Sequence, residues 1–124
     1  MKLSKKQFAL FQQECHRLIK AWHLNWRVDV SMGGANDGAL ATVCHDAETR
    51  TSSIWVAKDW THEEPVTREK VIGVARHEML HVLNAPVEVL ADKCEVLGLS
   101  KATIGCAEHD VLRRLELVLW GKCQ

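Results

Sequence analysis

The sequence predicts a single α+β domain, and three observations carry that expectation. A chain of 124 residues, 47% of them hydrophobic, can bury one modest core and little more. Apolar residues recur at helical spacing at both ends of the chain, while the middle alternates in the manner of strands. Between the strands and the last helix stands a segment that is apolar on most sides, as a central buried helix is.

The first element reads as a helix over residues 4–24. Ser4-Lys5-Lys6-Gln7 has the form of a capping box. Phe8, Phe11, Cys15, Leu18, Ile19 and Trp22 follow at helical spacing and should face the core. Residues 26–30 alternate as a strand, and residues 31–38, with Gly33-Gly34 and Asn36-Asp37-Gly38, are turn chemistry. Residues 39–45 and 51–58 predict two further strands joined by a polar segment. Short connections between neighbours favour a small, mostly antiparallel sheet. A second helix is expected over residues 67–85, stopped at Asn84-Ala85-Pro86 because the residue before a proline avoids helical geometry. A short helix over residues 87–97, ended by Gly98, and a last helix over residues 107–120, stopped by Gly121, complete the reading.

Composition narrows the function classes. Lys plus Arg equals Asp plus Glu at 16 each, so no electrostatic footprint for nucleic acid or an anionic membrane is expected. No apolar run approaches the roughly 20 residues that cross a bilayer. The N-terminal Met1-Lys2-Leu3-Ser4-Lys5-Lys6-Gln7-Phe8 lacks the apolar segment of a signal peptide, which gives the expectation of a cytoplasmic protein. The five cysteines are odd in number and form no CxxC pair, so neither a disulfide framework nor a zinc ribbon is indicated. They read as small core residues with free thiols. The five tryptophans form no regular stacking platform and read as packing residues.

The chemistry lies in His77-Glu78-Met79-Leu80-His81, inside the expected central helix. Histidines at i and i+4 stand one turn apart on one face, so two imidazole nitrogens can reach one Zn²⁺. Glu78, one residue along, can approach a water in the open coordination position rather than the metal itself, and accept its proton. A catalytic zinc commonly takes a third protein ligand. The start of the last helix offers Glu108, His109 and Asp110. Glu108 shares a face with Val111, Leu112, Leu115 and Leu119, whereas His109 shares one with Arg113, Glu116 and Trp120. Helical phase therefore selects Glu108, with His109 in reserve.

With these residues the sequence resembles the gluzincin branch of the zincin metallopeptidases in a minimal form. The wider runs Arg76 to Pro86 and Glu108 to Glu116 are similar to small metallopeptidase-like proteins of phages and prophages, and the resemblance covers roughly residues 50–124. It implies that His77, His81 and Glu108 are zinc ligands, that Glu78 is the general base, and that peptide bonds are hydrolysed. It also implies a strand that pairs with an extended peptide, and Ser53-Ile54-Trp55-Val56-Ala57, with Trp55 and Val56 as substrate contacts, is the expected one. The chain departs from many zincins in having no tyrosine to stabilise an oxyanion. His45, His62, His109 or Arg113 would have to serve. Acceptors for the second nitrogens of the ligand histidines are expected among Asp92, Glu95 and Glu116. The same donors would accept Mn²⁺, Fe²⁺ or Ni²⁺.

Two other readings compete. One is a zincin scaffold that keeps its metal for stability and works by binding a protein. The other is a DNA-associated peptidase similar to the SprT-like family, against which the balanced charge and the missing CxxC pair both speak.

Overall fold

A computed structural model describes residues 2–60, 65–94 and 101–121. Helix α1 (Lys5–Ala21) begins as its sequence demands. The Ser4 side chain accepts from the Gln7 N–H, and the Gln7 side chain accepts from the Ser4 N–H. Phe11, Cys15 and Leu18 are buried along one face. The helix stops at Ala21, short of the expected end, where the Trp22 N–H closes on the Leu18 carbonyl and His23 turns to φ 52°.

Three strands follow: β1 (Arg27–Met32), β2 (Ala41–Asp46) and β3 (Thr51–Val56). They form one sheet in the order β1-β3-β2. β2 and β3 are an antiparallel pair, but β1 and β3 run parallel. The sheet is therefore mixed, which corrects the expectation of a mostly antiparallel one. The rule of short connections holds for β2 and β3, whose link is the turn ending at Arg50. It fails for β1, because residues 33–40 carry the chain past the place of β3 instead of folding back. The Gly33 N–H donates to the Val56 carbonyl and the Ala57 N–H to the Leu40 carbonyl, so both ends of that segment are tied to the end of β3. Gly34, at φ 80°, lies so close to Trp55 that a Cβ there would stand 3.3 Å from the indole.

β3 alternates as a half-covered strand should: Ser52, Ile54 and Val56 are buried and Thr51, Ser53 and Trp55 are partly exposed. The buried set faces the helices. Helix α2 (Arg68–Leu83) is capped by Thr67, whose side chain accepts from the Lys70 N–H. Its Val71, Ala75, Met79 and Val82 join Phe11, Leu18, Ile54, Val56 and Trp60 in the core. Asn84 caps its C-terminus within the expected stop, but Ala85, expected to avoid helical geometry before Pro86, is itself helical. Helix α3 (Ala85–Cys94) starts at once, with Pro86 in its first turn, where a missing N–H costs no hydrogen bond. The expected helix over residues 87–97 thus begins earlier, and its last residues and Gly98 lie outside the described residues. Helix α4 (Lys101–Trp120) also begins earlier than expected and ends at Gly121, φ 74°. The Arg76 guanidinium sits 5.0 Å over the Trp120 ring, which in turn tilts against Trp22 at 6.3 Å, and so α4 is held against α2 and α1. Among the described residues no helix is long and apolar enough to cross a membrane.

Candidate metal centre

α2 is surrounded: α1 and the sheet cover two of its sides, and α3 and α4 approach a third. His77 and His81 look out on that third side. Their ring centroids are 5.1 Å apart, one turn along the helix. His109 of α4 completes a triangle, at 6.3 Å from His77 and 5.3 Å from His81. One ring nitrogen of each lies within 4.8 Å of the other two, so His77, His81 and His109 could hold a metal ion.

The hydrogen bonds decide which nitrogens are offered. Nδ1 of His77 is 2.6 Å from Oε1 of Glu116, Nδ1 of His81 is 3.0 Å from Oε1 of Glu88, and Nδ1 of His109 is 2.9 Å from the Gly105 carbonyl oxygen. Carbonyl and carboxylate oxygens only accept, so each Nδ1 carries its proton and donates. In its neutral form each ring then presents a bare Nε2. Three imidazoles in one tautomer, each locked by its other nitrogen, are the donor set that a borderline divalent ion takes. The residues present therefore fit zinc.

Glu78 lies beside the triangle. It is 8% exposed, and it lines a cleft of about 250 Å³ together with His77, Leu40, Ala41, Lys70 and Val74. Burial raises its carboxyl to about 7, with the His81 charge lowering it and the Glu88 charge adding to the rise. His81, 9% exposed, is shifted the other way from what burial alone would give. Burial disfavours its charged form, but the Glu88 hydrogen bond and the charges of Glu88, Glu78 and Glu108 outweigh it and raise the value. Burial also opposes ionisation of Glu88. The His45 imidazole, 3.6 Å away, and the hydrogen bond from His81 prevail and bring it down to about 2, so Glu88 is a carboxylate. Its other neighbour, His45, is hydrogen-bonded through Nδ1 to the Ser52 hydroxyl at 2.7 Å.

Several sequence expectations meet this geometry differently. The histidine triangle contains His109, the reserve, and leaves out Glu108, which is half-buried one residue earlier and reaches His81 through its charge. The inward face of α4 is not its most apolar stripe: Val111 and Leu119 are exposed, while Leu112 and Glu116 are buried. Glu116 can be buried because His77 pairs with it. Of the acceptors expected, Glu116 is in place. Asp92 and Glu95 fall outside the described side chains, as does His62 among the oxyanion candidates. Glu88, which sequence reasoning missed, takes the His81 role. Its one sequence signal is a lone carboxylate in the first turn after Pro86.

The expectation for Trp55 and Val56 is corrected. β3 is the central strand, with β1 on one edge and β2 on the other, so residues 53–57 have no free edge for a peptide. The Val56 side chain is fully buried, and the Trp55 side chain alternates onto the sheet face away from α2. β2 is the edge strand on the side of the cleft, and Leu40 and Ala41 at its start line it. Among the remaining oxyanion candidates, His45 points into the Ser52–Glu88 network, and Arg113 is exposed on α4. No protein-family profile, curated protein or solved structure matches the chain.

Proposed function

We propose that this protein is a zinc metallopeptidase of the zincin type. One observation carries the reading: three imidazoles converge with Nε2 free, and a buried carboxylate, Glu78, stands in the adjoining cleft. His77, His81 and His109 would hold the ion through Nε2, with Glu108 adding negative charge beside them. Bound zinc supplies a Lewis acid for the scissile carbonyl and acidifies a coordinated water.

Glu78 takes the proton of the attacking water and later delivers it to the leaving amine. Its burial keeps bulk water from competing for that proton. The substrate backbone lies along the outer edge of β2, where Leu40 and Ala41 border the cleft, and gains affinity through main-chain hydrogen bonds. Substrate is thereby placed between Glu78 and the imidazoles, with Lys70 and Val74 on the opposite wall.

The test is a peptidase assay on zinc-loaded protein against a broad peptide library, with Glu78→Gln as the control. Cleavage by the wild type that falls by at least about 10²-fold in the variant supports the reading. Metal retention with identical, background-level cleavage in both would make the chain a metal-stabilised binding module instead.

A further inference from the structure

His81 is not simply hydrogen-bonded; it ends a chain of polar groups that reaches back into the sheet. Four elements contribute. Ser52 of β3 is 2.7 Å from Nδ1 of His45 on β2. Nε2 of His45 is 3.6 Å from Oε1 of Glu88 on α3. That same oxygen is 3.0 Å from Nδ1 of His81 on α2. Ser52 is fully buried, and the His45 and Glu88 side chains are 8% and 14% exposed.

The directions of the bonds follow from chemistry. Glu88 only accepts, so both imidazoles must turn an N–H toward it. His45 then carries its proton on Nε2, which leaves Nδ1 to accept from the Ser52 hydroxyl. Nε2 of His45 and Oε2 of Glu88 are buried with no hydrogen-bond partner, and Nε2 of His45 stands 3.6 Å from the other oxygen of the same carboxylate. A buried imidazole N–H and a buried carboxylate this close, each short of other partners, attract each other and hold each other in place.

We propose that Glu88 and His45 are positioning residues for His81: Glu88 fixes the ring's tautomer and aim, and His45, anchored on Ser52, fixes Glu88. The ligand on α2 is thereby tied to the sheet, and β2 carries both the tie and the wall of the cleft. A change in β2 would be transmitted to the ligand through the close approach of His45 to Glu88 and the hydrogen bond from His81 to Glu88. This inference rests on reading His81 as a metal ligand, and its test separates the two.

The test combines zinc affinity, from competition with a chelator, with nitrogen-edited histidine spectra of metal-free protein at alkaline pH. Glu88→Ala should weaken zinc binding by about 10–100-fold and release His81 from the Nδ1–H tautomer. His45→Ala should weaken it less, and should have no further effect in the Glu88→Ala background, because His45 acts through Glu88. Glu88→Gln keeps the volume and one accepting oxygen, and should fall between wild type and Glu88→Ala; it serves if the alanine variant does not fold. Unchanged affinity and unchanged His81 signals in a folded Glu88 variant would overturn the proposal, and additive effects of the two alanine substitutions would overturn the role of His45. If the wild type takes up no zinc, the metal reading fails, and the relay stands or falls on the His81 tautomer alone.

Discussion

Nδ1 of His77 stands 2.6 Å from Oε1 of Glu116, and Glu116 is 1% exposed in the C-terminal part of α4. A carboxylate so deeply placed needs its partner, and the imidazole so held can offer only Nε2 to the cleft. The pair also joins the helix that carries two of the histidines to the helix that carries the third.

Glu116→Ala removes the acceptor and frees the His77 ring. Zinc affinity should fall by about 10–100-fold with the helical content kept. Chelator competition together with circular dichroism checks this. Full affinity in a folded variant would mean that His77 is oriented by packing alone.

His109 and Glu108 are adjacent, and substitution separates their roles. His109→Ala should abolish retention of metal through gel filtration, whereas Glu108→Gln should keep one equivalent. Elemental analysis of the two variants decides, and the opposite pattern would restore Glu108 as the third ligand.

Cys15 is buried in the core, and burial, followed by the Glu14 and Glu78 charges, pushes its thiol up to about 12 from an ordinary 9.0. Cys44 is free and exposed. Brief alkylation of native protein followed by peptide mapping should modify Cys44 and spare Cys15 until denaturant is added. A thiol with a raised folded-state value holds its proton more tightly when folded. Its contribution to stability is complete below about pH 9 and is lost as the pH climbs toward 12. Chemical denaturation of wild type and Cys15→Ala across that range should show the difference.

Met79 is fully buried between the two histidines of α2, on the face turned to the core. Met79→Ala should cost about 2–5 kcal/mol of stability, read from urea unfolding, while His77, Glu78 and His81 stay on their own face. A cost below about 1 kcal/mol would mean that the α2 core contacts are looser than the burial implies.

The sequence made the local decisions legible. Ser4 and Thr67 are caps that can be read from two or three neighbours, and the i, i+4 spacing of His77 and His81 places both on one face without reference to any other element. Topology was harder to read. Whether β1 pairs beside β2 or beyond it depends on where residues 33–40 cross, and turn residues permit either. The phase of α4 misleads because burial on this helix does not follow apolarity. Glu116 goes inside in place of Val111 and Leu119 since His77 satisfies it, and that partner lies on a different helix. Glu88 was out of reach for the same reason: its meeting with His81 and His45 depends on the direction α3 takes after Pro86, which no local pattern encodes.

Zinc titration of chelator-stripped protein, followed by calorimetry, tests the central claim most directly. One zinc ion per chain should bind, with binding lost in His77→Ala and His81→Ala, both still folded. Absence of saturable uptake by the wild type, or uptake by either histidine variant equal to that of the wild type, would contradict the account.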